Sequence, residues 1–562
     1  MTLGRVACVL LFAAGLPAQT QPAVSTPATQ GYRIAGVVVN SLTGQPLPAV
    51  AVAIAPTTPH GSSREVSQTM VSGNDGRFAF AGLARGKYSL MAEARGFTLQ
   101  SFESHDAYSS AIAVGPNLDS EDLVFRLQPD ASIEGQVIDE NNDPVQNATV
   151  RLFEKRITEG QRRTSPINQG QTDDQGHYRM GHLASGTYYL AVSARPWYAQ
   201  NDRSASRRPS NPDIQAHAAQ EAAALDVTYP LTFYPDSEDS AGANPIALHP
   251  GEQATADVVM HTVPALHLRI HTGGGNSGPL FAIGKTAFPR VSQRIFEGYL
   301  DPVSNSPVSG NEPGVVQILG LAPGHYVVEM PASNAAGEKA SNRGWYREID
   351  LFGDADLNVG DAPSFVAVSG SVIFQGEATG PKNLAIQLSN PATGERFNTP
   401  LSDKGQFDFS NDTVRPGRYN VLLSSPQGFF FSKLSATGAK LVGRTLDIPG
   451  GSSVRLVGVV TRGLGQVDGV ALHDGQPFSG AMIVLVPQDP ANNLPLFRRD
   501  QSDSDGSFTL SNVVPGQYTV VAIANGWDLE WGNPIVLQPY LKGGEAAQVT
   551  GEAKLQVKVE VH

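Results

Sequence analysis

The sequence predicts an all-β chain, a tandem array of about five seven-stranded β-sandwiches, and three observations carry that prediction. The first is a phrase that returns along the chain: Asp just before Gly, then any residue, then an aromatic, followed by Gly, any residue, Tyr. It reads Asp75-Gly76-Arg77-Phe78 with Gly86-Lys87-Tyr88, Asp174-Gln175-Gly176-His177-Tyr178 with Gly186-Thr187-Tyr188, Asp403-Lys404-Gly405-Gln406-Phe407 with Gly417-Arg418-Tyr419, and Asp505-Gly506-Ser507-Phe508 with Gly516-Gln517-Tyr518. A worn copy stands at Pro313-Gly314 with Gly324-His325-Tyr326. The second is spacing: the copies lie 100, 138, 91 and 101 residues apart, counted from Gly76 through Gly176, Gly314 and Gly405 to Gly506. Units this long are separate domains, because a solenoid repeats every ~20–50 residues. The third is composition. Among 562 residues, Gly 58 and Pro 40 supply many turns, and the short runs between them alternate apolar and polar.

Composition also excludes partners. Charged residues are 17% of the chain and the net charge is -13. A nucleic-acid backbone needs a basic face, so nucleic acid is not expected. Residues 1–18 read as a secretory signal, with Arg5 ahead of the apolar run Val6 to Leu16 and small residues at Pro17-Ala18. That run is too short to cross a bilayer, and no later run is longer, so no membrane span is expected. Cys8 is the only cysteine and falls inside the apolar run. A chain cleaved after it forms no disulfides. Residues 19–30 are a polar linker rich in Pro, Thr and Ala.

The first repeat, 31–128, opens with a strand at Ile34 to Val39, turns at Thr43-Gly44-Gln45-Pro46, and continues with Val50 to Ala55, the phrase, Tyr88 to Ala94 and the closing Leu123 to Leu127. The second, 129–262, repeats that order from Ile133-Glu134-Gly135-Gln136-Val137. Between Trp197 and Tyr229 it carries an insertion: an Arg-rich loop, then a helix over Ala216 to Leu225 capped by Asn211-Pro212. The third, 263–361, has lost the Asp of the phrase. The fourth, 362–462, opens at Val368-Ser369-Gly370-Ser371-Val372, and the fifth, 463–562, near Val467-Asp468-Gly469-Val470. Such an array is expected to be an elongated monomer.

The order of a Gly-x-Val strand, a Gly-x-Pro turn, a Gly-Ala-x-Val-like strand, Asp-x-Gly-x-Phe and Gly-x-Tyr resembles the carboxypeptidase regulatory-like domain. Gly469-Val470, Gly475-Gln476-Pro477, Gly480-Ala481-Met482-Ile483 and Asp505-Gly506-Ser507-Phe508 carry the resemblance. It implies a prealbumin-like, carbohydrate-binding-like sandwich, similar to the B-type stalk domains of surface adhesins. It implies an extracytoplasmic, non-catalytic role and no cofactor. Those stalks carry a Lys–Asn crosslink, but the opening strands Ile34 to Val39, Ile133 to Ile138 and Val368 to Phe374 contain no Lys.

The residues themselves offer few sites. In the phrase, Asp and Gly suit a tight turn and the aromatics suit the core. A calcium reading of Asp500, Asp503 and Asp505 fails the EF-hand pattern at Asn512. His249-Pro250-Gly251-Glu252 has the His-x-x-Glu spacing of a zinc site but reads as a turn. His261, His267 and His271 are not spaced to converge, so no metal is expected. One further recurrence remains: an aromatic 11 or 12 residues after the Gly of Gly-x-Tyr, each preceded by Gly or Pro. These are Phe97, Trp197, Phe429 and Trp527. With Tyr198 and Trp531 beside them, they are binding candidates for the apolar face of a sugar. The alternative, that each ring caps its sandwich core, is favoured by recurrence in diverged repeats. Two functions follow as expectations: a carbohydrate-binding array, with polysaccharide as partner, or a structural spacer or adhesion module that docks an envelope protein; a metallocarboxypeptidase-related hydrolase is a distant third.

Overall fold

The computed structural model describes residues 31–57, 67–118, 120–200, 223–271, 289–296, 298–303, 308–309, 315–330, 344–376, 382–409, 414–425, 428–451 and 453–562. The expected signal, the linker, Cys8 and most of the expected insertion helix lie outside the described residues. The fold is all-β. Five pairs of sheets follow one another along the chain, and each pair closes over its own hydrophobic core.

In every repeat the first and last strands lie side by side and parallel. Tyr32–Asn40 pairs with Leu123–Leu127, and Ala131–Asp139 with Gln253–Thr255 and Val258–Met260. Leu266–His271 pairs with Ala355–Asn358, Ala367–Phe374 with Ser453–Arg462, and Gly465–His473 with Lys554–Glu560. The phrase strand joins the other edge of the opening strand. Its aromatic falls opposite the glycine of the Gly-x-Val motif: Phe78 opposite Gly36, Tyr178 opposite Gly135, Phe407 opposite Gly370 and Phe508 opposite Gly469. At Gly469 a Cβ would stand 2.4 Å from the ring of Phe508. The missing side chain is therefore the seat for the aromatic.

The turn glycines Gly76, Gly176, Gly405 and Gly506 have φ of 71 to 75°, the left-handed region that the turn demands. Gly-x-Tyr has an equally specific cause. Each tyrosine donates its hydroxyl to the carbonyl four residues back: Tyr88 to Ala84, Tyr188 to Ala184, Tyr326 to Ala322, Tyr419 to Arg415 and Tyr518 to Val514, at 2.7 to 3.1 Å. This ties the loop before each strand to the core ring and satisfies the phenol where burial removes water. The bond survives in the third repeat, where the Asp of the phrase is gone. A buried hydroxyl four residues before the turn glycine adds a second tie. Ser72, Thr172 and Ser502 each accept the amide of the second strand's start and donate to a carbonyl of the preceding turn.

The sequence predicts an elongated string, and the structure corrects it. Sequential repeats pack on one another: Phe153, Phe296, Phe233 and Ile295 form a shared cluster between the second and third. Tyr346 stacks on Phe365 between the third and fourth, and the Arg444 amide donates to Asn492 at 2.8 Å between the fourth and fifth. The first and fifth then meet, which closes the circuit. The long hairpin of the second repeat, Thr149–Thr158 and Gln161–Gln171, crosses the middle. Its tip places Glu159 on Arg396 and Gly160 against Gly532. Spacing and pattern within a repeat carry no information about these contacts, since each joins one repeat to another.

Candidate functional site

The side chains with distinctive chemistry gather where the first and fifth repeats meet. Segment Ser110 to Ala113 lies along Gln501 to Ser504, immediately ahead of the fifth copy of the phrase. The Asp503 carboxylate accepts the Ala111 amide at 2.8 Å and pairs with Lys87 at 2.5 Å. The Ser504 amide donates to the Ala111 carbonyl at 3.0 Å, and its hydroxyl accepts the Ala113 amide at 2.9 Å. Gln501, 1% exposed, donates to the Glu103 carbonyl and the Ser110 hydroxyl. In the second repeat the matching Asp173 instead accepts the amides of Gln175 and His177 within its own turn. In the fifth, Asp505 takes over that local task by accepting Ser507, and Asp503 is left to hold the neighbour.

An aromatic layer flanks this contact. Gly526 and Trp527 turn the chain after the strand Gly516–Ile523, and Gly526 fits because a Cβ there would meet Ile523 and Met482 at 2.8 Å. Trp527 stacks flat on His105 of the first repeat, with ring centres 4.5 Å apart and planes 6° from parallel. The Arg499 guanidinium sits 4.7 Å from the ring centres of both Trp527 and Tyr108, and 5.8 Å from Trp531. Arg499 is almost wholly buried and faces Asp106 at 3.7 Å. Burial lowers its pKa, while Tyr108 and Asp106 work against that. Cation–π contact is worth most where water is excluded. Burial raises the Tyr108 phenol, and Arg499 opposes the rise.

The acidic residues once readable as calcium ligands are engaged. Asp500 accepts the amides of Gln501 and Thr509, at 2.9 and 2.7 Å. Desolvation lifts its carboxyl to about 6, partly offset by those two bonds. Asp503 is raised as well, by burial first, with Lys87 pulling it down. No group of three or more His, Cys, Asp or Glu able to hold a metal occurs among the described residues. Glu252 accepts the His249 amide at 2.8 Å and so closes the turn predicted there. His271 pairs with Asp356 and His267 with Asp226 and Asp354, two separate sites.

The six candidate aromatics divide clearly. Phe429 is buried in the fourth core with Arg462 4.8 Å over its ring, so it offers a ligand no face. Phe97 packs on the first core, and its backbone bridges Pro129 at the junction with the second repeat. Trp527 is covered by His105 and Arg499. Trp531 packs on Phe497 at 5.9 Å, and its indole N–H is buried without an acceptor. It forms part of the wall of a cavity of about 680 Å³ that Asp106, Tyr108, Arg156, Asn420 and Arg499 also line. Only Trp197 stands free, 93% exposed, with Tyr198 edge-on at 5.6 Å and 83°. Sequence reasoning missed His105, Tyr108 and Arg499. Their neighbours in the chain give no signal, because the partner ring arrives from the other end of the molecule.

The parallel first and last strands, the glycine facing an aromatic and the tyrosine tie recur at fixed places in the first two repeats. A family model described as the carboxypeptidase regulatory-like domain matches residues 33–127 and 132–261. Two consecutive segments of the chain therefore match the carboxypeptidase regulatory-like domain. Residues 365–440 match a second model, the BOS complex subunit NOMO1-like, second beta sandwich domain. No curated protein matches the chain. Among solved structures, the chain is similar to the minor pilin GBS52 of Streptococcus agalactiae, with 13% identity over 44% of this chain and 99% of that one, TM-score 0.21. It is also similar to the Bacillus anthracis TIE protein, with 13% identity over 76% and 73%, TM-score 0.14. The shaft pilin SpaA from Lactobacillus rhamnosus GG gives 9% identity over 42% and 98%, TM-score 0.18. Within the two matched segments, the aromatics of the phrase, Phe78, Tyr88, Tyr178 and Tyr188, are core residues. No helix among the described residues is long and apolar enough to cross a membrane.

Proposed function

We propose that this protein is a non-catalytic binding scaffold that works outside the cytoplasm and takes polysaccharide on Trp197 and Tyr198. The single supporting observation is Trp197. An indole is costly to leave in water, yet this one is 93% exposed while Phe97, Phe429, Trp527 and Trp531 are packed. An indole face with a second ring set edge-on suits the apolar face of a pyranose, with polar groups at the rim to orient it. A non-catalytic role is supported by the use of the acidic groups: Asp500, Asp503 and Asp505 hold amides and a lysine. The signal-like N-terminus supports the extracytoplasmic reading.

The test is fluorescence. Trp345 is buried and Trp527 and Trp531 are half-buried, so a polysaccharide that stacks on Trp197 is expected to change the red-shifted, exposed part of the emission. Trp197→Ala should abolish both that change and retention on the polysaccharide. Retention that survives the substitution sinks the reading. A second reading, a scaffold that docks an envelope protein, is favoured by the use of Trp527 and Trp531 to join repeats. It predicts co-purification of a partner with no glycan hit.

A further inference from the structure

Residues of the second, third, fourth and fifth repeats line a cavity of about 780 Å³. Its charge is unlike that of the molecule. The chain carries -13, but four cations line this cavity: Lys155, Arg162 and Arg163 from the hairpin and Arg418 from the fourth repeat. Glu530 is the one carboxylate among the lining residues, 3.6 Å from Arg162. The other guanidinium contacts are to neutral oxygens, which orient an arginine without neutralising it: Arg163 donates to the Gln161 side-chain carbonyl at 3.1 Å, and the rest are main-chain carbonyls. Arg162 donates to Asp528 at 2.8 Å, Arg418 to Ala491 at 3.0 Å, and Arg163 to Pro391.

Arg163 bears the cost of this arrangement. Its Nε is buried with no acceptor, and desolvation lowers its pKa, with Glu159 opposing and Arg396 adding to the fall. Half-burying this cation costs hydration that Glu159, a carboxylate it shares with Arg396, does not restore, and groups perturbed in this way gather at binding sites. The remaining wall is polar rather than greasy. Buried Asn420, with Asn533 and Thr164, offers amide and hydroxyl groups of the kind that meet sugar hydroxyls. The volume suits a ligand of one or two sugar rings.

We infer that this cavity binds a small anionic saccharide, its carboxylate or phosphate held by Lys155, Arg163 and Arg418 and its hydroxyls by the amide-bearing wall. The site is separate from Trp197 and goes beyond the polysaccharide reading, so either can fail alone. Only the closed arrangement of repeats creates it: the hairpin brings three of the cations across to the fourth.

Calorimetric titration of the full chain at low salt tests it with four probes: glucuronic acid, glucose 6-phosphate, glucose and inorganic phosphate. Binding of either anionic sugar, with none of glucose, is expected, and the tighter of the two tells carboxylate from phosphate recognition. Among the described residues the Lys155 ammonium has no partner, so Lys155→Gln should weaken that binding about tenfold and leave the melting temperature unchanged. Arg418→Gln should weaken it by at least as much. Trp197→Ala should leave it intact. Affinity unmoved by Lys155→Gln and Arg418→Gln overturns the site, as does the absence of binding by both anionic sugars. Inorganic phosphate binding as tightly as glucose 6-phosphate overturns the saccharide class.

Discussion

At the scale of single residues, the recurring phrase is a set of separate physical devices. The tyrosine hydroxyl is the most uniform, since it makes the same bond in all five repeats. Burial lifts the phenols of Tyr188, Tyr419 and Tyr518 to about 12, so all three remain donors at any working pH. Tyr518→Phe strips the Val514 carbonyl of its partner and is expected to destabilise the fifth repeat by about 1–2 kcal/mol, read as a lower urea midpoint with unchanged slope. Asp500 gives a second residue-scale prediction. Its folded pKa, about 6, lies above the unfolded value near 4. The folded state therefore holds a proton that the unfolded state has released. Asp500 favours folding fully below about pH 4, and that contribution is lost as pH rises through 6. Carboxyl-carbon NMR should show Asp500 titrating near 6. A midpoint at 4 would contradict its desolvation.

At the scale of elements, the hairpin Thr149–Thr158 and Gln161–Gln171 does the most unexpected work. It is a core hairpin at its base and a strut at its tip. Gly160 has φ +80°, and a Cβ there would lie 2.5 Å from the Gly532 nitrogen, whose amide donates to the Gly160 carbonyl at 2.9 Å. Gly160→Val is expected to push the tip away from the fifth repeat. Hydrogen exchange at the Gly532 amide should accelerate, while amides in the second core keep their protection. The helix Pro534–Leu541 beside it was not read from the sequence, although Asn533 caps it and Pro534 takes its first position. Turns, strands and core aromatics were legible because they are local: Gly before an aromatic, alternation, and Gly-x-Tyr. The fate of Trp527 was not legible, because its spacing matches that of exposed Trp197. What distinguishes the two is whether a neighbour such as His105 arrives to cover the ring.

At the scale of the whole molecule, the question is what holds five sandwiches together. The latch of Lys87, Ala111 and Asp503 closes the circuit with charge-assisted and main-chain bonds shielded from water. Asp503→Ala is expected to free the first repeat from the fifth, leaving Lys87 and the Ala111 amide without their acceptor. The radius of gyration from solution scattering should rise, while the far-UV circular dichroism of the sandwiches stays the same. An unchanged scattering profile would show that the remaining contacts hold the circuit closed. The carboxylate of Asp505 serves only its own turn, so Asp505→Ala should cost local stability and leave the overall dimensions alone.

The parallel pairing of first and last strands bears on how the protein meets force. Pull on the two ends of one repeat, and the strands slide past each other lengthwise. Every bond between them is then loaded together, instead of opening one after another from an end. The fourth repeat, paired in unbroken register from Ala367–Ser453 to Phe374–Val460, should resist longest. The second, whose closing strand is interrupted between Thr255 and Val258, should yield sooner. Single-molecule stretching should show that order of rupture, and a chain anchored at one end and loaded at the other would come apart repeat by repeat in the same sequence.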